Sequence, residues 1–363
     1  MSLIVPNLPF TRNTKKSSWQ VGRQLYYCWL IGLAWIFLTG CTILQELQKS
    51  NLKRQQEARV RMKERYVTFE APDDTGVNVS GDGLEIDSVH YKLSFGPDLH
   101  QHPDYDTPTE RQQIGHGSLV FMESLYQFLY RIFGFEPKHK IHVILHDIYR
   151  GTKLMATTTI HAQNRMQNGQ IIKVIQGIEM NFPLNMFGER PVRAHELAHA
   201  FTNIYLLPAW FSEGIAVWVE VEYAKGKDHR SVDLNEIKLT LDGLNAAQEW
   251  SGDLDAGADA LTQWRYNYCY TIVAEIKDRF GEDFYPRFFK LMEEDKLYQR
   301  LPGNMSTSFL VYYLSQAAGE DLVPFFQSLK FKIQKLSRDE ILKAIRQANQ
   351  TLRRQKRNDE SEE

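Results

Sequence analysis

Between Pro191 and Trp218 the chain reads Pro-Val-Arg-Ala-His-Glu-Leu-Ala-His-Ala-Phe-Thr-Asn, breaks at Pro208, and resumes as Ala-Trp-Phe-Ser-Glu-Gly-Ile-Ala-Val-Trp. No other stretch constrains the fold as tightly. Pro191 suits the first position of a helix, where its missing N–H costs no hydrogen bond, and Pro208 stops that helix by Leu206 or Leu207. A second helix then starts at Trp210, with Ser212 a candidate cap and Glu213 in or beside the first turn. His195 and His199 lie four residues apart, which stacks two imidazoles on one helical face where they could grip one metal ion. Glu196, offset by one residue, can reach a water on such an ion without being a ligand, which is the place of a general base. A catalytic zinc keeps three protein ligands and one open position. Glu213 is the candidate third ligand, fourteen positions beyond His199 and far enough along the chain to turn a corner and return.

The chain has 363 residues, 43% of them hydrophobic and 24% charged, which suits a folded domain with a real core. Its formal net charge is -2. Arg12, Lys15, Lys16 and Arg23 carry all the charge before Cys41, so the remainder is more acidic still and offers no nucleic-acid surface. Three cysteines, at 28, 41 and 269, are too few for a disulfide framework and fit no thiolate metal site. Cys28 and Cys269 read as buried thiols.

Cys41 is different. Leu25 to Leu44 holds no charged residue and the basic residues precede it, as in an export signal. Leu38-Thr39-Gly40-Cys41 resembles the lipobox of bacterial lipoproteins, which implies a signal peptide over 1–40, cleavage before Cys41 and lipidation of that residue. The alternative is an uncleaved single-pass signal anchor, since the apolar run is long enough to span a bilayer. Either places the rest of the chain in the cell envelope, outside the cytoplasmic membrane. Residues 41–66, crowded with Gln, Lys, Arg and Glu, read as a polar tether.

From Val67 to Lys92, short alternating runs separated by Gly and Pro suggest strands and turns. Gly96 to Pro108 reads as a loop, in which His100 and His102 are better explained as exposed than as ligands. Met122, Leu125, Leu129 and Ile132 recur at helical spacing, with Gly134 as a stop. Ile141 to Leu145 reads as a buried strand, with His139, His142 and His146 in core or surface roles. Gln170 to Met180 is a second strand signal, either an ordinary strand or an edge that receives a substrate backbone. After the central motif, Leu261 to Gly281, Phe284 to Glu293, Ser306 to Ala318, Leu322 to Leu329 and Arg338 to Asn349 read as helices, the last opened by the capping box Ser337-Arg338-Asp339-Glu340. Residues 351–363 read as a disordered tail.

The pair His-Glu-Leu-Ala-His and Leu-Pro-Ala-Trp-Phe-Ser-Glu-Gly-Ile-Ala resembles the gluzincin zinc metallopeptidases, most closely the peptidase MA-like families. The resemblance runs from about Glu110 to about Ile333. It implies one Zn2+ per chain held by His195, His199 and Glu213, with Glu196 as base. It also implies that Trp264 to Gly281 is the helix from which a tyrosine can face the site. Tyr266 is the first choice and Tyr268 and Tyr270 are alternatives, because two residues turn a helical side chain well away. All three could instead pack core or loop. Relatives often carry an acid four residues after the third ligand, where this chain has Val217. A supporting carboxylate must then come from elsewhere, Glu220 first and Glu222 next.

The expectation is therefore one α+β, zincin-like metallopeptidase domain over 67–350, with a small mixed sheet, a mostly helical C-terminal half and the site at 191–218. It would hydrolyse peptide bonds of envelope or extracellular proteins and peptides, tied to the membrane through Cys41. The alternative is a catalytically silent lipoprotein that keeps the fold as a protein-binding or assembly module.

Overall fold

A computed structural model describes residues 78–79, 84–99, 107–147, 156–167, 170–224, 232–234, 260–301 and 303–362. The leader, Cys41, the tether, His100 and His102 lie outside the described residues. The fold is α+β. Strands β1 (Asn78–Val79), β2 (Glu85–Asp87) and β3 (Tyr91–Phe95) form an antiparallel meander, and helix α1 (Pro108–Phe133) follows. Then come β4 (Ile141–His146), β5 (Thr157–Gln167) and β6 (Gln170–Pro183), a short α2 (Leu184–Phe187), α3 (Arg190–Thr202) and α4 (Ala209–Ala224). The remaining described elements are helical: α5 (Ala260–Phe280), α6 (Phe284–Glu294), α7 (Leu297–Arg300), α8 (Thr307–Ala318), α9 (Val323–Ser328) and α10 (Arg338–Glu362).

The sheet is mixed, in the order β1-β2-β3-β4-β6-β5, with β4 parallel to both β3 and β6 and with β5 antiparallel to β6. Alternation along the central strands sends Tyr91, Leu93, Phe95, Ile141, Val143 and Leu145 into the core. His142 and His146 point to the other face, where His142 pairs with Ser94 Oγ at 2.8 Å and His146 with Asn181 Oδ1 at 2.8 Å. His139 donates from Nε2 to the carbonyl of Ile175. These three histidines act as hydrogen-bonding residues of the sheet and its rim.

Two expectations change. Gln170 to Met180 belongs to a strand inside the sheet order, between β4 and β5: Gln170 to Gly177 pairs with β5 alone, and from Ile178 onward both sides are taken, so the stretch that runs into the metal-site region offers no free edge. The edge is β5, which sequence reading missed: Thr-Thr-Thr-Ile-His-Ala-Gln-Asn-Arg-Met-Gln has no apolar period because the strand is largely exposed. At the other end, α10 runs on to Glu362 where a disordered tail was expected. Residues 351–362 contain neither Gly nor Pro and are mostly good helix formers, so a polar composition did not end the helix.

Helix α1 is fixed at both ends. Thr107 Oγ1 accepts from the N–H of Glu110, and Gly134 closes the helix at φ 76°, a left-handed conformation that costs glycine little. Its buried face, with Leu119, Met122, Leu125, Leu129 and Phe133, packs towards the sheet and α3. Burying side chains of this size contributes about 1.5–3 kcal/mol each. Helix α3, which carries His195 and His199, is thus set on a rigid base.

Candidate metal centre

Helix α3 opens with Pro191 near its start and ends at Thr202, followed by a turn of 3-10 helix at Asn203–Tyr205. Leu206 adopts φ 51°, Pro208 accepts from the N–H groups of Phe211 and Ser212 at 2.9 and 3.0 Å, and the chain re-enters a helix at Ala209. The start of α4 is locked by its aromatic pair. Trp210 is 1% exposed and packs on Phe326 and Phe331, while Phe211 is fully buried against Tyr285 and Phe288. The Gly214 position is equally constrained. A Cβ there would lie 2.7 Å from the carbonyl oxygen of Cys269 and 2.9 Å from Val273 Cγ2, so only glycine lets α4 approach α5 this closely.

Between these anchors Glu213 turns back to the histidines. His195 Nε2 and His199 Nε2 are 3.1 Å apart, and Glu213 Oε2 lies 3.2 Å from the first and 3.5 Å from the second. Donors about 2.0–2.1 Å from a tetrahedral ion stand roughly 3.3 Å from one another, so these three atoms have the separations of ligands sharing one ion. Among the described residues this is the one His/Cys/Asp/Glu group that could hold a metal. Glu213 Oε2 is also buried and makes no well-formed hydrogen bond despite its two close neighbours. A shared cation accounts for that contact better than a hydrogen bond does.

The tautomers follow from the outer partners. His195 Nδ1 lies 2.8 Å from Glu220 Oε1, and a carboxylate only accepts, so Nδ1 carries the hydrogen and Nε2 faces inward with its lone pair. Ser212 Oγ donates to Asn203 Oδ1 at 3.0 Å and is left to accept from His199 Nδ1 at 3.2 Å. His199 Nε2 therefore also presents a lone pair. Without a cation or a proton between them, three electron-rich atoms would face one another. Burial pushes the His195 pKa down, but the carboxylates of Glu213 and Glu220 outweigh it and, with no ion between them, hold the ring well above the ordinary range, so that a proton on Nε2 stands where the cation would. Burial likewise pushes Glu213 up, but the close approach of His199 and His195 holds it well below the usual carboxylate range.

Glu196 stands beside this group without joining it. Its carboxylate accepts from Thr158 Oγ1 at 2.7 Å, and the same hydroxyl lies 2.9 Å from its backbone carbonyl. Thr158 belongs to the edge strand β5, so the strand and the acid are tied directly. Tyr266 is the tyrosine that faces the centre, its ring 6.2 Å from that of His195. Burial first, and then the charges of Glu213, Glu196 and Glu220, push its phenol well above the usual range, which keeps it a proton donor. Tyr268 is fully buried against Trp264, and Tyr270 lies in the field of Glu222.

Val217, where an outer acid was looked for, is buried and apolar, and Glu220 occupies the outer position one turn further on. Glu222 lies 4.0 Å from Lys277 instead. Ser212 is not the helix cap: its N–H is already bonded to Pro208, and its side chain supports His199. Asn203 and Thr158 were missed altogether. Asn203 follows His199 by four residues, a helical neighbour position that could have pointed to it, whereas Thr158 carries no local signal. No family profile matches the chain, and no curated protein matches it.

Proposed function

We propose that the chain is a zinc-dependent peptidase of the gluzincin type, built on a zincin-like domain. The observation that carries the reading is the ligand triangle of His195, His199 and Glu213, with a carboxylate, Glu196, held beside it and outside it. A binding module has no need for such a base. Zinc, with two neutral imidazoles and one carboxylate, suits this donor set, and when bound it would polarise a scissile carbonyl and bring the pKa of a water towards about 7.

The chain's own groups supply the rest. Glu196 takes the proton of the attacking water and later delivers it to the leaving nitrogen. Thr158 holds that carboxylate in place. The Tyr266 phenol donates to the oxyanion that develops on the former carbonyl. Glu220 and Ser212 fix the ring orientations of the two histidines. The exposed edge of β5, joined to Glu196 through Thr158, is the natural rail for a substrate backbone added as a further strand. We also place the protein in the bacterial cell envelope, lipid-anchored at Cys41, where mass spectrometry of the mature amino terminus should find a diacylglyceryl cysteine. Among the described residues no helix is long and apolar enough to cross a membrane.

The test is incubation of zinc-loaded protein with a peptide library, with and without chelator. Cleavage that chelator abolishes and added zinc restores supports the reading. No cleavage of any peptide by fully loaded protein would instead favour a silent module.

A further inference from the structure

On a different part of the domain, helices α7 and α10 and the start of β6 enclose a cavity of about 670 Å³. Its charged lining is wholly cationic: Lys296 and Arg300 from α7 and its cap, Arg346 and Arg353 from α10. Among the described residues none of the four side chains makes an ion pair or hydrogen bond, and Arg353 Nε is buried without a partner. Some exposed cations elsewhere on the domain are paired with acids, as Lys335 is with Asp321 at 2.7 Å and Lys140 with Asp87 at 2.8 Å, and among the described residues those that are not do not converge on one cavity with three other cations.

The arrangement follows from the sequence of α10. Ile345, Arg346, Asn349 and Arg353 recur at steps of one, three and four, which puts them on one helical face. From Ile341 to Gln355 the helix contains no acidic residue. Asn349 Nδ2 donates to the carbonyl of Arg300 at 3.0 Å, bracing α10 against α7 so that cations from both converge. Ile172 and Ile345 supply an apolar wall, and Gln299 adds an amide to that of Asn349.

We infer that this cavity is a binding site for a small molecule carrying two or more phosphate groups. Four like charges around one cavity repel one another unless an anion joins them, and a single monoanion leaves most of that repulsion in place. Three guanidinium groups offer forked donors that match the oxygens of phosphate, and the apolar wall accommodates a neutral body attached to it. The volume is that of a small-molecule pocket and is too small for a nucleic-acid duplex or a folded partner. The phosphate groups can come from a soluble ester or from the headgroup of an anionic lipid.

The test is calorimetric titration of the full chain with inorganic pyrophosphate. Saturable binding of one equivalent is expected, weakened about tenfold or more by Arg346→Gln combined with Arg353→Gln, and unchanged by Lys335→Gln on another face. Glutamine keeps the helix propensity, and an unchanged melting temperature would show that the double variant is folded. Flotation with phosphatidylcholine vesicles containing cardiolipin, whose headgroup carries two phosphates, compared with phosphatidylcholine alone, separates the sources. Vesicle binding lost in the same double variant identifies a lipid headgroup, and pyrophosphate binding without vesicle binding identifies a soluble ester. The inference is overturned if pyrophosphate shows no saturation up to millimolar concentration. It also fails if the double variant binds as well as the wild type, which would place the anion at the metal centre, or if polyglutamate binds more tightly than pyrophosphate.

Discussion

Residue by residue, the candidate site separates into groups that could hold an ion and groups that hold those groups. Glu220 orients His195 through a 2.8 Å contact. Replacing it with Gln should lower zinc affinity by a factor of about 10–100, read by competition with a fluorescent chelator, with the fold intact. Unaltered affinity would remove Glu220 from the centre. Thr158 makes a separate prediction. Thr158→Val should reduce kcat by about tenfold with zinc content and KM nearly unchanged, because only the placement of Glu196 is disturbed. Thr158→Ser should restore the rate, since the hydroxyl is what the carboxylate uses. The histidines, Glu196 and Glu213 were legible in the sequence because their spacing is local or nearly so. Thr158 was not, because it reaches Glu196 across 38 residues of chain through a strand pairing that no local pattern encodes.

At the scale of elements, the short sequence Trp-Phe-Ser-Glu-Gly does four things in five residues: it anchors α4, orients His199, offers Glu213 and opens a path for α5. Gly214→Ala tests the last of these. Its methyl would meet backbone at 2.7 Å, which a flexible side chain cannot relieve, and overpacking of this kind costs about 1–3 kcal/mol. Urea unfolding should show that loss, together with weaker zinc retention, because α4 must move away from α5 and carry Glu213 with it. A midpoint equal to that of the wild type would mean that the two helices are not held so closely. The buried strands and amphipathic helices could be read from periodicity. The edge strand could not, since exposure on both faces erases the alternation, and the continuation of α10 past Asn349 was hidden by a polar composition that both tails and solvated helices share.

At the scale of the whole molecule, a mixed sheet buttressed by α1 supports the two helices of the candidate metal centre, and a helical half packs against α4. One buried group strains this arrangement. Lys173 on β6 is 8% exposed, its amine has no hydrogen-bond partner, and burial pushes its pKa down to about 8. Below that pH the folded chain holds a buried charge that the unfolded chain keeps in water. Between the folded value and the unfolded one of about 10.4, the unfolded chain binds the extra proton, so this residue makes stability rise with pH across that window. Lys173→Met should remove the rise and add of the order of 2 kcal/mol at neutral pH, as measured by denaturant unfolding at several pH values. A slope identical to that of the wild type would show that the amine reaches water.

In the proposed mechanism one ion sits on His195, His199 and Glu213 while Glu196 performs proton transfer. This is tested most directly by measuring zinc content and peptide hydrolysis together in the wild type and in Glu196→Gln. One zinc per chain is expected in both proteins, with hydrolysis reduced by a factor of about 10²–10⁴ in the variant. Full zinc-dependent hydrolysis by Glu196→Gln, or a wild-type protein that binds no zinc, would contradict it.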